Sequence, residues 1–135
     1  MKQPTLRVPL VIDTSAWVRQ QEPGATEFWN AANDADLLAC CPVAVLEIFR
    51  MARNEAEFGS LDRTFAALAQ APVTATVGNA AMAASRELGG RRRIPAADYL
   101  IAAAAAERGF GVIHADKHFD LLATVLPFES VRLPE

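Results

Sequence analysis

Cysteine is scarce in this chain. There are two, Cys40 and Cys41, and they are neighbours. Adjacent cysteines cannot staple distant parts of a fold, and no second pair exists to frame a zinc site. They read as small buried residues at a strand end. Long hydrophobic runs are missing as well. The longest, such as Ile101 to Ala106, fall far short of the roughly 20 residues that a membrane-spanning helix needs. Met1 to Arg7 is polar, and the apolar run behind it is too short for a secretory signal. The expectation is a soluble, cytoplasmic protein with no membrane partner. Positive charge is not in excess: 13 Lys and Arg stand against 16 Asp and Glu, for a net charge of −3 and a pI near 5.4. Nucleic-acid binding usually leaves a basic footprint. Any phosphate chemistry here must therefore rely on local positive charge or on bound cations. No internal repeat, low-complexity tract or interdomain linker is visible.

What is present is a globular composition, with 52% hydrophobic and 21% charged residues. The 135 residues suit one domain with one sizeable core, spanning 1–135. Val8 to Ile12 reads as a short buried strand, followed by Asp13 and by Thr14 and Ser15, which are helix-capping types. A short helix then runs to about Gln20, and another covers Ala25 to Ala32. Asp36 to Cys41 reads as a second strand. Pro42 suits the first turn of a helix from Val43 to Arg53 that is apolar nearly all round, which predicts burial. Glu55 to Ala69 forms the next helix, with a break expected near Gly59-Ser60; the two make an αα-hairpin. Pro72 to Ala75 is a weak edge-strand candidate. Thr76 to Leu88 is a helix stopped by Gly89-Gly90. Pro95 opens a helix to Arg108. Gly111 to His114 is a buried strand, Lys117 to Thr124 a short helix, and Glu129 to Leu133 a last strand. This alternation predicts an α/β fold, a mostly parallel sheet of four to five strands with helices on both faces.

Most acids lie in polar surroundings, but four do not. Asp13 and Asp116 end buried strands, Glu47 interrupts an apolar helix, and Asp98 sits in the first turn of an alanine-rich helix. Each has a plain structural role available. Asp13 and Asp98 can serve helix N-termini, Glu47 can pair with Arg50 one turn on, and Asp116 can start a turn. Together they say more. Strand carboxyl ends and helix N-termini share one edge of a parallel α/β layer, so all four can meet there. Like carboxylates about 4 Å apart repel by roughly 4 kcal/mol at an effective dielectric near 20. Such a cluster persists by protonating or by binding cations. Oxygen ligands suit Mg²⁺ or Mn²⁺, and a carboxylate-held ion of that kind acts naturally on phosphates.

Ile12-Asp13-Thr14-Ser15, Val45-Leu46-Glu47-Ile48, Ala97-Asp98-Tyr99-Leu100-Ile101-Ala102 and His114-Ala115-Asp116-Lys117-His118-Phe119 resemble, in order and spacing, the four motifs of PIN-domain nucleases. The compact size resembles the VapC-type toxins of bacterial type II toxin–antitoxin pairs. The resemblance implies a PIN-like fold and a Mg²⁺- or Mn²⁺-dependent endoribonuclease that leaves a 5′-phosphate and a 3′-hydroxyl. It implies catalytic and metal-binding roles for Asp13, Glu47, Asp98 and Asp116, with Ser15 supporting the first acid beside Thr14. It also implies an RNA substrate, a small cognate antitoxin and a homodimer. One position departs from the pattern: His114 stands where many members carry threonine, and it either contacts phosphate or ends the strand as a satisfied polar group. Arg91, Arg92 and Arg93 form the one concentrated basic patch, just before the helix that carries Asp98. They are candidate RNA contacts, as are Lys117 and, beside it, His118. Two other readings compete. A phosphoacceptor or haloacid-dehalogenase-type phosphatase would need a second acid that this chain lacks, since position 15 is serine. A catalytically inactive PIN-like binding module in an RNA-associated assembly would have no need of all four acids.

Overall fold

The computed structural model describes residues 7–90 and 93–135. These form five strands and seven helices: β1 Leu10–Ile12, α1 Thr14–Trp17, α2 Thr26–Asp34, β2 Leu38–Cys40, α3 Pro42–Phe49, α4 Glu55–Ala66, β3 Ala69–Gln70, α5 Ala75–Leu88, α6 Ala96–Arg108, β4 Gly111–His114, α7 His118–Leu122 and β5 Glu129–Arg132. The strands make one sheet in the order β3-β2-β1-β4-β5, and every neighbouring pair is parallel. The expected parallel α/β architecture is therefore present, with β1 at its centre.

The two-residue period of a strand explains how the core divides. Val11, Ala39 and Val112 point to one face and pack with α5, α6, α7 and Ala44 at the start of α3. Leu10, Ile12, Leu38, Cys40 and Ile113 point to the other and pack with α1, α2, α3 and α4. Register keeps like faces together, since Val11 pairs with Val112 and Ile12 with Ile113. Gly111 is required by close approach: a Cβ there would lie 2.7 Å from the Glu129 carbonyl oxygen and 2.9 Å from Leu10. Gly109 ends α6 in the left-handed conformation, with φ 69°, where glycine has no steric penalty.

Three local expectations are corrected. The third strand is Ala69–Gln70 and not Pro72 to Ala75. Helix α4 runs unbroken through Gly59-Ser60. Its start is well capped, with Asn54 accepting from the Glu57 N–H at 2.9 Å and the Glu57 carboxylate reaching back to the Arg53 N–H at 2.9 Å. That cap and the burial of Phe65 outweigh the modest cost of one glycine. Helix α3 is not buried all round. It sets Ala44 and Ile48 into the core, while Leu46 is 64% exposed and Glu47 is exposed too. Cys40 and Cys41 are buried free thiols, and burial pushes both thiol pKa values up.

Candidate active site

In a parallel sheet with returning helices, strand carboxyl ends and helix N-termini meet at one edge. The end of β1 delivers Asp13 to that edge. Asp13 has extended backbone (φ −80°, ψ 152°) and is itself the N-cap of α1. Its Oδ2 accepts from the Ser15 N–H at 3.0 Å and from the Ser15 hydroxyl. The capping is done by the acid, not by Thr14 or Ser15 in its place. A carboxylate offers about four acceptor sites, so capping and ligation can coexist. Ser15 also joins two strand ends: its Oγ accepts from the Ala115 N–H at 2.9 Å. The Asp13 N–H donates to the Ile113 carbonyl at 3.0 Å. The loop after β4 is thereby fixed to the loop after β1.

That second loop carries Asp116. Its Oδ1 accepts from the His118 N–H at 3.0 Å, closing a tight turn. The turn brings His118 Nδ1 to 3.3 Å from Asp116 Oδ1 and 3.1 Å from Asp98 Oδ2. Asp98 arrives from the first turn of α6 and is 8% exposed. One ligand atom from each of Asp98, Asp116 and His118 lies within 4.8 Å of the other two. Asp13 belongs to the same electrostatic group. Burial, then its charge, then that of Asp116 raise the Asp98 pKa to about 6, against the pull of His118. Burial likewise raises the Asp13 pKa, opposed by its Ser15 bonds and assisted by Asp116. Three carboxylates and an imidazole thus share one edge, and the arrangement penalises full ionisation.

Glu47 stands at the rim. It is exposed, and its Oε1 accepts from the Thr14 hydroxyl at 3.3 Å, a different partner from the Arg50 that helix spacing suggests. The fold turns it outward because α3 presents Ala44 and Ile48 to the core. Lys117 is exposed beside Asp116, and Arg93 is exposed before α6. Arg91 and Arg92 lie outside the described residues. His114 is corrected as a candidate RNA contact: its ring is wholly buried. Nε2 lies 2.7 Å from Ser130 Oγ, and Nδ1 accepts from the Asp116 N–H at 3.2 Å. Burial lowers its pKa to about 4. The residue that sequence reasoning undervalued is His118, read as part of a basic patch and found between two acids. The only advance signal was its offset of two residues from Asp116, the reach of a side chain across a turn.

A parallel α/β layer with acids gathered at its carboxyl edge defines a class, and the family comparison agrees with it. The family model for the PIN domain matches residues 10–125, and the chain belongs to the PIN-domain family. Within that family it is similar to two VapC ribonucleases of Mycobacterium tuberculosis (strain ATCC 25618 / H37Rv). Ribonuclease VapC18 is 34% identical over 119 residues, covering 84% of this chain and 87% of the relative. Ribonuclease VapC51 is 34% identical over 119 residues, covering 85% of each. Among solved structures, VapBC-5 from Mycobacterium tuberculosis, a member of the VapBC family of toxin–antitoxin systems, superposes with a TM-score of 0.64 at 22% identity, over 93% of this chain and 99% of that one. VapBC2 from Rickettsia felis, bound to a DNA fragment from its promoter, gives 0.72 at 13% identity, over 95% and 100%. These two likenesses are of fold.

Proposed function

We propose that this chain is a divalent-metal-dependent endoribonuclease, a single PIN-like domain that serves as the toxin of a toxin–antitoxin pair. The observation that carries the reading is the convergence of acids at this edge, with Asp98 and Asp116 gathered beside His118 and with burial first, then the charges of Asp13 and Asp116, raising the Asp98 pKa to about 6. A site that resists full ionisation has room for a cation in place of the proton. The donor set fits a hard divalent ion. Carboxylate oxygens suit Mg²⁺ or Mn²⁺, and the His118 nitrogen beside them favours Mn²⁺. Asp13, Asp98 and Asp116 are the proposed ligands. A bound ion would supply an activated water and a stabilised leaving oxygen.

The chain's own residues do the rest. Ser15 fixes the Asp13 carboxylate, and α6 holds Asp98 in the core. Glu47, at the rim and linked to Thr14, is proposed to orient the attacking water. Lys117 and the arginines Arg91, Arg92 and Arg93 are proposed to meet RNA phosphates, which the net-negative protein would otherwise repel. The cut leaves a 5′-phosphate and a 3′-hydroxyl. The partner assignments follow the relatives named as ribonucleases and as toxin–antitoxin systems. They are supported by a groove of about 300 Å³ between α3 and α4, lined by Val45, Leu46, Phe49 and Phe65 among others. A small antitoxin, a homodimer and a cytoplasmic setting complete the proposal. Among the described residues no helix is long and apolar enough to cross a membrane.

Calorimetric titration with Mn²⁺ and a fluorescent RNA cleavage assay test it. Wild type should bind and cut; Asp13→Asn and Asp98→Asn should stay folded and do neither. Undiminished cleavage by both variants overturns the assignment. A wild type that binds no Mn²⁺ favours the inactive binding module.

A further inference from the structure

We propose that His114 is a positioning residue for Asp116, holding that residue's backbone through Nδ1 and anchoring the hold to β5 and α7 through Nε2. The hold itself is independent of the proposed function; what Asp116 is held for rests on that reading. The protons place themselves. A backbone N–H can only donate, so the Asp116 N–H at 3.2 Å requires a lone pair on Nδ1. Nε2 must then carry the ring proton and donate to Ser130 Oγ at 2.7 Å. The Ser130 hydroxyl has one proton, which it gives to Asp120 Oδ1 at 2.7 Å. Arg132 stands 3.6 Å from the other Asp120 oxygen. The chain of hydrogen bonds runs without a gap from the backbone of a candidate ligand to a surface carboxylate.

The surroundings keep the ring where the chain needs it. His114 is fully buried at the end of β4, and its ring lies against Phe119 with centroids 5.1 Å apart. Ser130 is brought within reach by the parallel β4–β5 register, which pairs Val112 with Ser130 and His114 with Arg132. Two consecutive amides after β4 are thus held by two side chains, Ala115 by the Ser15 hydroxyl and Asp116 by His114. The direction of the Asp116 side chain follows from that backbone. The two ring nitrogens of His114 let one side chain hold the Asp116 amide with one and reach the neighbouring strand with the other. Outer-shell groups that orient ligands typically change metal affinity 10- to 100-fold when removed.

The test compares His114→Asn, whose amide oxygen falls near Nδ1, with His114→Gln, whose amide nitrogen falls near Nε2. In wild type, ¹⁵N NMR should show the Nε2–H tautomer, and the Asp116 amide should exchange slowly with solvent. The Gln variant should raise that exchange and weaken Mn²⁺ binding, each by about tenfold or more, while Asn keeps both within about threefold of wild type. Ser130→Ala, a half-buried change that keeps the ring, should raise Asp116 exchange about threefold. Equal effects of Asn and Gln, an Nδ1–H tautomer in wild type, or no response to Ser130→Ala would overturn the role. If the Asp116 amide responds as expected but wild type binds no Mn²⁺, the proposed function fails and the positioning role stands.

Discussion

On one face of the sheet the contact surface is rich in alanine. Ala102, Ala103, Ala104 and Ala105 of α6 are buried together, with Ala81 and Ala84 of α5 against them. On the other face it is aromatic. Phe28, Trp29 and Phe65 are buried, and Trp17 packs edge-on to Trp29 with centroids 6.1 Å apart and tilted on Phe65 at 5.0 Å. Alanine has no rotamers to choose, so close backbone approach does much to set the position of α6, with Tyr99 and Ile101 filling in around it. Aromatic packing gains more area per residue but is held by side-chain geometry. The acids differ in the same way. Asp98, carried by the alanine face, is nearly buried. Glu47, carried by α3 on the aromatic face, is exposed. The alanine-rich face holds its acid as part of the core, and the aromatic face offers its acid at the rim.

The largest expected effect separates those two acids. Asp98→Asn should lower RNA cleavage by at least about 100-fold, as removal of a buried electrostatic group at a reacting centre typically does. Glu47→Gln should cost roughly tenfold or less, because an exposed group is partly replaced by water. Single-turnover rates of all three proteins at one fixed Mn²⁺ concentration, saturating for wild type, check this, and equal losses would break the contrast. The packing of the faces is tested by denaturant unfolding. Phe28→Ala should cost about 3–5 kcal/mol through the cavity it leaves. Ala104→Leu should cost about 1–3 kcal/mol by the opposite route, overpacking, and should also disturb Asp98 by lifting α6 from the sheet. An Ala104→Leu protein of full stability and activity would mean that the alanine face is not backbone-limited.

The pH dependence of the metal-free protein sharpens the same comparison. Asp98 has its pKa raised from 3.8 to about 6, so the folded chain keeps a proton that the unfolded chain has lost. That contribution to stability is full below about pH 4 and is lost as pH rises through 6. His114 has its pKa lowered from 6.5 to about 4, which works the other way: stability rises as pH climbs from about 4 to 6.5. Each amounts to at most about 3 kcal/mol, so they oppose one another over the same window. Removing the acid's share with Asp98→Asn should make stability rise more steeply between pH 4 and 6.5 than in wild type. Urea midpoints measured in chelator across that range decide it, and a shallower rise would contradict the placement of Asp98 among like charges.

The parts of this arrangement legible in the sequence are those written in local chemistry. The ends of α5 and α6 stand where Gly89 and Gly109 mark them, each in the left-handed conformation. The strand at Gly111–His114 has the bounds that its apolar run suggests. Asp13 and Asp116 are identifiable because an acid at the end of an apolar run is out of place, and Asp98 because it opens an alanine-rich helix; the parallel topology does bring the three to one edge. Contacts made across turns and registers were not legible. His118 reaches two acids only because the Asp116 turn closes, and Ser130 meets His114 only through the β4–β5 register. The burial of α3 was misjudged for a different reason. Composition reports how apolar a helix is, but the number of faces it buries depends on what packs around it.

That last point has its own test, and it is the smallest effect expected. Leu46 and Ile48 sit two residues apart on α3, one 64% exposed and the other 0%. Read from composition, either is a core residue. In the fold, Leu46 borders the groove toward α4, and its methyl groups stay in water. Leu46→Ser therefore removes little burial and should leave the unfolding free energy within about 0.5 kcal/mol of wild type. Ile48→Ala empties a filled site and should cost about 2–5 kcal/mol. Chemical denaturation at low protein concentration is the right measurement, because self-association would couple Leu46 to a second chain and restore the burial it lacks alone. A Leu46→Ser loss as large as that of Ile48→Ala would show that α3 buries both faces, and the aromatic side of the sheet would then hold Glu47 more firmly than its exposure implies.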